Sequence, residues 1–92
     1  MLSTIPIDLK ATDKLDLDKE ILRVGIIAEF DAINLYEQMA ALSNNDAIIA
    51  TLLDIAREEK THVGEFQALL VKLDQEHADE LEHGKREVEE RS

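Results

Sequence analysis

Glu59-Lys60-Thr61-His62 places a carboxylate and an imidazole three residues apart, about 60° round a helix and so on nearly one face. Leu52, Ile55, Phe66, Leu69 and Leu73 share that face in alternating steps of three and four, the spacing of a buried stripe. A second carboxylate, Glu29, interrupts an equivalent stripe of Leu22, Ile26, Ile33, Tyr36, Met39 and Ala40. Burying an unpaired charge is costly, so an acid inside an apolar seam needs a partner or a metal ion. Taken singly, each residue has an ordinary explanation. His62 alone reads as a hydrogen-bonded core histidine, and Glu29 alone as one half of an ion pair. Their recurrence in two seams favours ligation. Oxygen donors combined with imidazole suit iron or manganese better than copper, and magnesium and calcium seldom take histidine.

The elements that must bring these residues together follow from the same periodicity. Asp16 is a good N-cap, and Asp18 and Glu20 fall in a first turn where the helix dipole favours acids, so helix one is expected over residues 16–42. Ser43-Asn44-Asn45-Asp46 is a short polar connection with capping residues, and helix two is expected over 46–73. Two long amphipathic helices joined by a tight loop form an antiparallel hairpin. Glu29 and Glu59 lie at matching distances from the turn, about 20 Å at 1.5 Å per residue, which sets them level across it. His62 stands one turn farther from the loop, and Tyr36 about 10 Å nearer to it than Glu29. Residues 1–14, with Pro6 and no helical period, read either as an extended arm packing on a neighbour or as a frayed terminus. After Asp74 acids dominate and Gly84 interrupts them, which predicts a short helix near Gln75 to His83 and a weakly ordered acidic tail.

The bulk composition narrows the function classes. A chain of 92 residues is a single domain. Its formal charge of -11 disfavours nucleic acid, whose phosphates require clustered Lys and Arg, and suits cations. Without cysteine there are no disulfides, thiolate iron–sulfur sites or cysteine-ligated zinc. The N-terminus lacks the pattern of a signal peptide and no apolar run is long enough to span a bilayer, so the expectation is a cytoplasmic protein with no membrane contact.

One hairpin offers two carboxylates and one imidazole, and a long hairpin leaves one side of its apolar face open. A twofold pairing of hairpins supplies four carboxylates and two imidazoles. That is the ligand set of dinuclear sites in ferritin-like four-helix bundles, with a Glu from each of two helices and Glu-x-x-His from each of the other two. The fold expected is therefore all-α, an antiparallel two-helix hairpin plus a short C-terminal helix, dimerising into a ferritin-like four-helix bundle.

Glu29-Phe30-Asp31-Ala32-Ile33-Asn34-Leu35-Tyr36 and Arg57-Glu58-Glu59-Lys60-Thr61-His62 resemble the corresponding segments of the encapsulated ferritins. These are half-length ferritin-like proteins that act inside encapsulin nanocompartments, and the likeness runs from about Val24 to Leu73. The resemblance implies that Glu29, Glu59 and His62 are iron ligands, with Tyr36 the tyrosine beside them. It implies a di-iron centre between the subunits of a homodimer, assembly into an annular decamer, and an encapsulin shell protein as partner. Asp31 matches one acidic residue of a secondary metal site proposed for the family, whereas its neighbouring position is Ala28. The apolar shell-docking segment at the end of most free-standing members is not found in Glu87-Val88-Glu89-Glu90-Arg91-Ser92, which suits either truncation or the members fused to the shell protein.

The function expected is a ferroxidase that oxidises Fe(II) to Fe(III) and supports iron storage within the shell. Two alternatives stand beside it: a rubrerythrin-like di-iron peroxidase, and a helical oligomerisation module without catalysis. Asp54, Glu58 and Glu65 fall off the stripe and read as a solvated face, and His77 and His83 read as surface residues. Gly25 and Gly64 each cost roughly 1 kcal/mol inside a helix, for which close approach of a neighbouring helix is the plain explanation.

Overall fold

The computed structural model describes residues 14–92, which form three helices: α1 (Lys14–Leu42), α2 (Asp46–Leu73) and α3 (Gln75–Arg91). The arm expected over residues 1–14 lies outside the described residues except for Lys14, which opens α1. Helix α1 therefore starts two residues before the expected cap, and Asp16 sits in its first turn. There its acid still faces the free N–H groups and the positive end of the dipole.

The turn between α1 and α2 is fixed by Asn45. Its side chain accepts hydrogen bonds from the N–H groups of Ala47 and Ile48, at 3.0 and 3.1 Å. These two donors have no partner within the helix, so the cap both starts α2 and reverses the chain. Lys60 Nζ donates to Glu37 Oε2 at 3.0 Å across the pair. Arg57 and Asp54 form an ion pair along the outer face of α2.

The extents are 47 × 42 × 17 Å. The short dimension is little more than one helix with its side chains, so a single layer must serve as its own core. The only buried apolar residues among those described are Ala32, Ile33, Ala40, Ala56 and Leu70. Large apolar side chains remain open to water, among them Ile27, Phe30, Ile48, Leu53 and Leu69.

The chain bends at Asp74. Its backbone N–H closes α2 on the Leu70 carbonyl at 3.0 Å, and its side chain opens α3 by accepting from the His77 N–H at 3.0 Å. Arg23 Nη2 donates to Asp74 Oδ2 at 2.9 Å and ties this elbow to α1. His77, expected on the surface, is instead half-buried at the elbow, with Nε2 3.3 Å from Gln67 Oε1. The short helix and weakly ordered tail expected after Asp74 are one continuous helix to Arg91 that runs through Gly84. Pairs one turn apart hold it, with His83 lying 3.2 Å from Glu80 and 3.0 Å from Glu87, while Leu81 and Val88 remain exposed.

Candidate metal centre

Glu29 projects from the middle of α1, and Glu59 and His62 from the middle of α2. The antiparallel register brings them level, so that one donor atom from each lies within 4.8 Å of the others. His62 Nδ1 is 3.5 Å from Glu59 Oε2 and 3.6 Å from Glu29 Oε2. Both spacings are too long for a hydrogen bond and suit donors around a central ion. Glu29 and Glu59 keep 18% and 20% of their side-chain exposure and His62 45%, so the carboxylates form the floor and the imidazole the mouth.

Glu29 Oε2 is buried and has no hydrogen-bond partner. A buried acceptor left without a donor is costly, and a cation supplies what the protein does not. Glu20 Oε2 is in the same condition but belongs to no group of three potential metal-binding side chains among the described residues. Two carboxylates and an imidazole from one chain give at most part of an iron coordination sphere and leave positions for further ligands. The donor set and the unpartnered oxygen both fit a metal ion.

The remaining sequence candidates lie farther away. Tyr36 is half-buried on the stripe of Glu29, two turns nearer the loop. Asp31 is half-buried and, two residues beyond Glu29, about 200° round α1 from it, so it faces away from the cluster. Asp54, Glu58 and Glu65 are exposed. A contact not anticipated lies one turn beyond the cluster, where the Phe66 ring rests on α1 at Gly25. Close approach explains Gly25, whereas at Gly64 an added Cβ would meet no other atom of the same chain within 4 Å.

The family model for rubrerythrin matches residues 20–92. A solved structure, the encapsulated ferritin domain from Pyrococcus furiosus, superposes with a TM-score of 0.84 at 50% identity, covering 98% of this chain and 92% of that one. The chain belongs to the encapsulated-ferritin domains of the rubrerythrin family. A ferritin-like–encapsulin shell fusion protein of Pyrococcus furiosus is 62% identical over 71 residues, 77% of this chain and 21% of that protein. An encapsulin nanocompartment cargo protein of Myxococcus xanthus, EncC, is 38% identical over 68 residues, 74% of this chain and 50% of that protein. This encapsulated-ferritin domain thus spans half or less of the length of these two relatives. Among its described residues no helix is long and apolar enough to cross a membrane.

Proposed function

We propose that this encapsulated-ferritin domain is a ferroxidase, oxidising Fe(II) to Fe(III) at a di-iron site shared by two copies of the chain. The observation that carries the reading is the Glu29–Glu59–His62 cluster, level across the hairpin and holding a buried, unpartnered carboxylate oxygen. Each copy contributes one such set, and twofold pairing of the single-layer hairpin supplies the missing donors while covering its open face. Iron held there supplies the electron-transfer chemistry, with dioxygen as acceptor.

The side chains have distinct parts in this scheme. Glu29 brings its charge across from α1 and closes the site. Glu59 and His62 approach from α2 as a rigid pair, because their spacing is set within one helix. Paired copies concentrate four carboxylates, which attract divalent cations and partly neutralise them. His62, at the mouth, binds while still in contact with solvent. Tyr36 stands on the same stripe two turns nearer the loop, and its proposed part is to support the centre rather than to ligate the metal of its own chain.

Mineral storage within an encapsulin shell, with this domain as cargo or as a fused unit inside the nanocompartment, is proposed from the two relatives. Assembly of dimers into an annular decamer belongs to the same proposal. Stopped-flow oxygen uptake with ferrous salt tests the activity: wild type should far exceed the protein-free rate and Glu59→Ala should not. Crystals soaked aerobically in ferrous salt should show two anomalous iron peaks between paired copies. Oxidation at the protein-free rate would overturn the reading. The rubrerythrin match favours a second reading, with hydrogen peroxide as acceptor. Initial rates with peroxide and with oxygen separate the two.

A further inference from the structure

We infer that Gly25 is a spacer that sets how far Glu29 must reach towards Glu59 and His62, and so determines how tightly the site closes on a divalent cation. The inference rests on the metal-centre reading above. A Cβ built on Gly25 would meet Cε2, Cδ2 and Cζ of Phe66 at 3.2, 3.3 and 3.4 Å. The ring therefore sits directly on the α1 backbone. No glycine among the described residues has positive φ, so the missing side chain, not a special backbone conformation, is what this position uses.

The contact lies one turn from the cluster on both helices. Gly25 precedes Glu29 by four residues and Phe66 follows His62 by four, so the antiparallel register stacks this pair directly beneath the donors. The separation of packed helices is set by the side chains at their contact, and a glycine under an aromatic ring permits a close approach. The two donors on α2 do not depend on that separation. Glu29 alone crosses the gap, so widening it lengthens both the Glu29–His62 and the Glu29–Glu59 distances and leaves Glu59–His62 as it is.

A methyl group at position 25 forces the ring or the helix to give by a few tenths of an ångström. Metal–oxygen and metal–nitrogen distances near 2.0–2.2 Å tolerate little of this. Disturbing the support of metal ligands typically weakens affinity between about tenfold and a hundredfold, and the small shift here suggests a loss of roughly tenfold. Alanine is also the better helix former, which offsets part of the cost of moving the ring, so the metal-free chain should lose less thermal stability than it loses metal affinity. A merely structural role for Gly25 predicts no such split.

The test titrates cobalt(II) into the chelator-treated full chain, following visible absorption for coordination and calorimetry for affinity, with thermal melts of the metal-free protein. Gly25→Ala should bind cobalt roughly tenfold more weakly, with an altered absorption band and a metal-free melting temperature that changes little. Gly25→Ala combined with Phe66→Leu, which returns the space, should recover most of the affinity. Phe66→Trp, which widens the gap without altering α1, should reproduce the loss even if Gly25→Ala does not fold. In a Glu29→Ala background, Gly25→Ala should have no further effect on affinity, because the only donor it displaces is gone. Equal cobalt affinity and spectrum in wild type and Gly25→Ala would overturn the spacer while leaving the metal site standing. An equal loss with or without Glu29 would overturn it too, by showing that the contact does not act through that reach. Failure of wild type to bind cobalt would overturn the metal reading and the spacer together.

Discussion

Replacing Glu29 with glutamine should make the metal-free chain more stable and the metal-loaded chain less stable. In the absence of metal, Glu29 Oε2 is buried without a hydrogen-bond partner, and the Glu59 carboxylate shares the cluster. Glutamine keeps the shape, removes one negative charge and adds an N–H₂ group that can donate to Glu59. An unsatisfied buried polar atom costs about 1–3 kcal/mol. Because the Glu29 side chain keeps 18% of its exposure, the lower end applies, about 1 kcal/mol. For a chain of this size that corresponds to a rise in melting temperature of about 4–8 °C. Metal acts in the opposite direction. At a free concentration one hundred times the dissociation constant, binding stabilises the wild type by about 2.7 kcal/mol, which Glu29→Gln largely forfeits. The two proteins should therefore exchange rank. The assay is a pair of circular-dichroism melts at low protein concentration, one with chelator and one with zinc in place of redox-active iron. Glu29→Gln melting below wild type in chelator would refute the reasoning, since Glu29 would then be a satisfied structural acid.

His62→Ala should remove most rapid iron oxidation with helix content nearly unchanged, whereas Glu58→Ala, on the exposed face, should change little; oxygen uptake and circular dichroism check both. Tyr36→Phe keeps the ring that fills the stripe and should retain bound iron while slowing oxidation, measured as iron per chain against initial rate. Zinc should shift the chain from single copies towards dimers and larger assemblies, and chelation should reverse the shift, because in the proposed shared site a separated copy holds only half of the ligands; native mass spectrometry at several protein concentrations reads this out. Asp74 should make the elbow acid-sensitive. The His77 N–H hydrogen bond, with help from Lys19 and Arg23, holds its carboxyl below the usual range against the opposing effect of burial. A lowered carboxyl contributes stability above its unfolded value, near 3.9, and loses it as pH falls through the folded value. Protection of the first α3 amides, corrected for the intrinsic exchange rate, should therefore fall below about pH 4 in wild type, and Asp74→Asn should flatten that dependence.

The hairpin and the height of its polar residues were legible because both depend on simple arithmetic. Glu29 and Glu59 are each about thirteen residues from the turn, and helical rise alone sets them level. Less was legible where a contact depends on side-chain packing. Phe66 falls on the apolar stripe, but only its position against Gly25 reveals the close approach. For α3, composition pointed to a weakly ordered tail. The helix instead continues through Gly84, held by the His83–Glu80 and His83–Glu87 pairs, because pairs one turn apart offset part of the glycine cost. The elbow left a fainter signal: Asp74 is a good N-cap, yet neither glycine nor proline marks the break, and its pairing with Arg23 is remote in sequence.

The matched distances from the turn also restrict how this chain can change in length. A single residue inserted within α2 before Glu59 would rotate Glu59 and His62 by about 100° and carry them off the face that meets Glu29. Seven residues, nearly two whole turns, would restore the face to within about 20° but slide the pair about 10 Å along the axis, out of reach of Glu29. Only a matching insertion in α1 would bring the three donors level again. Insertions beyond Asp74 carry no such restriction, because α3 contributes no donor to the cluster. Natural variation in length should therefore collect in the third helix and be nearly absent between Glu29 and His62, unless it arrives in pairs.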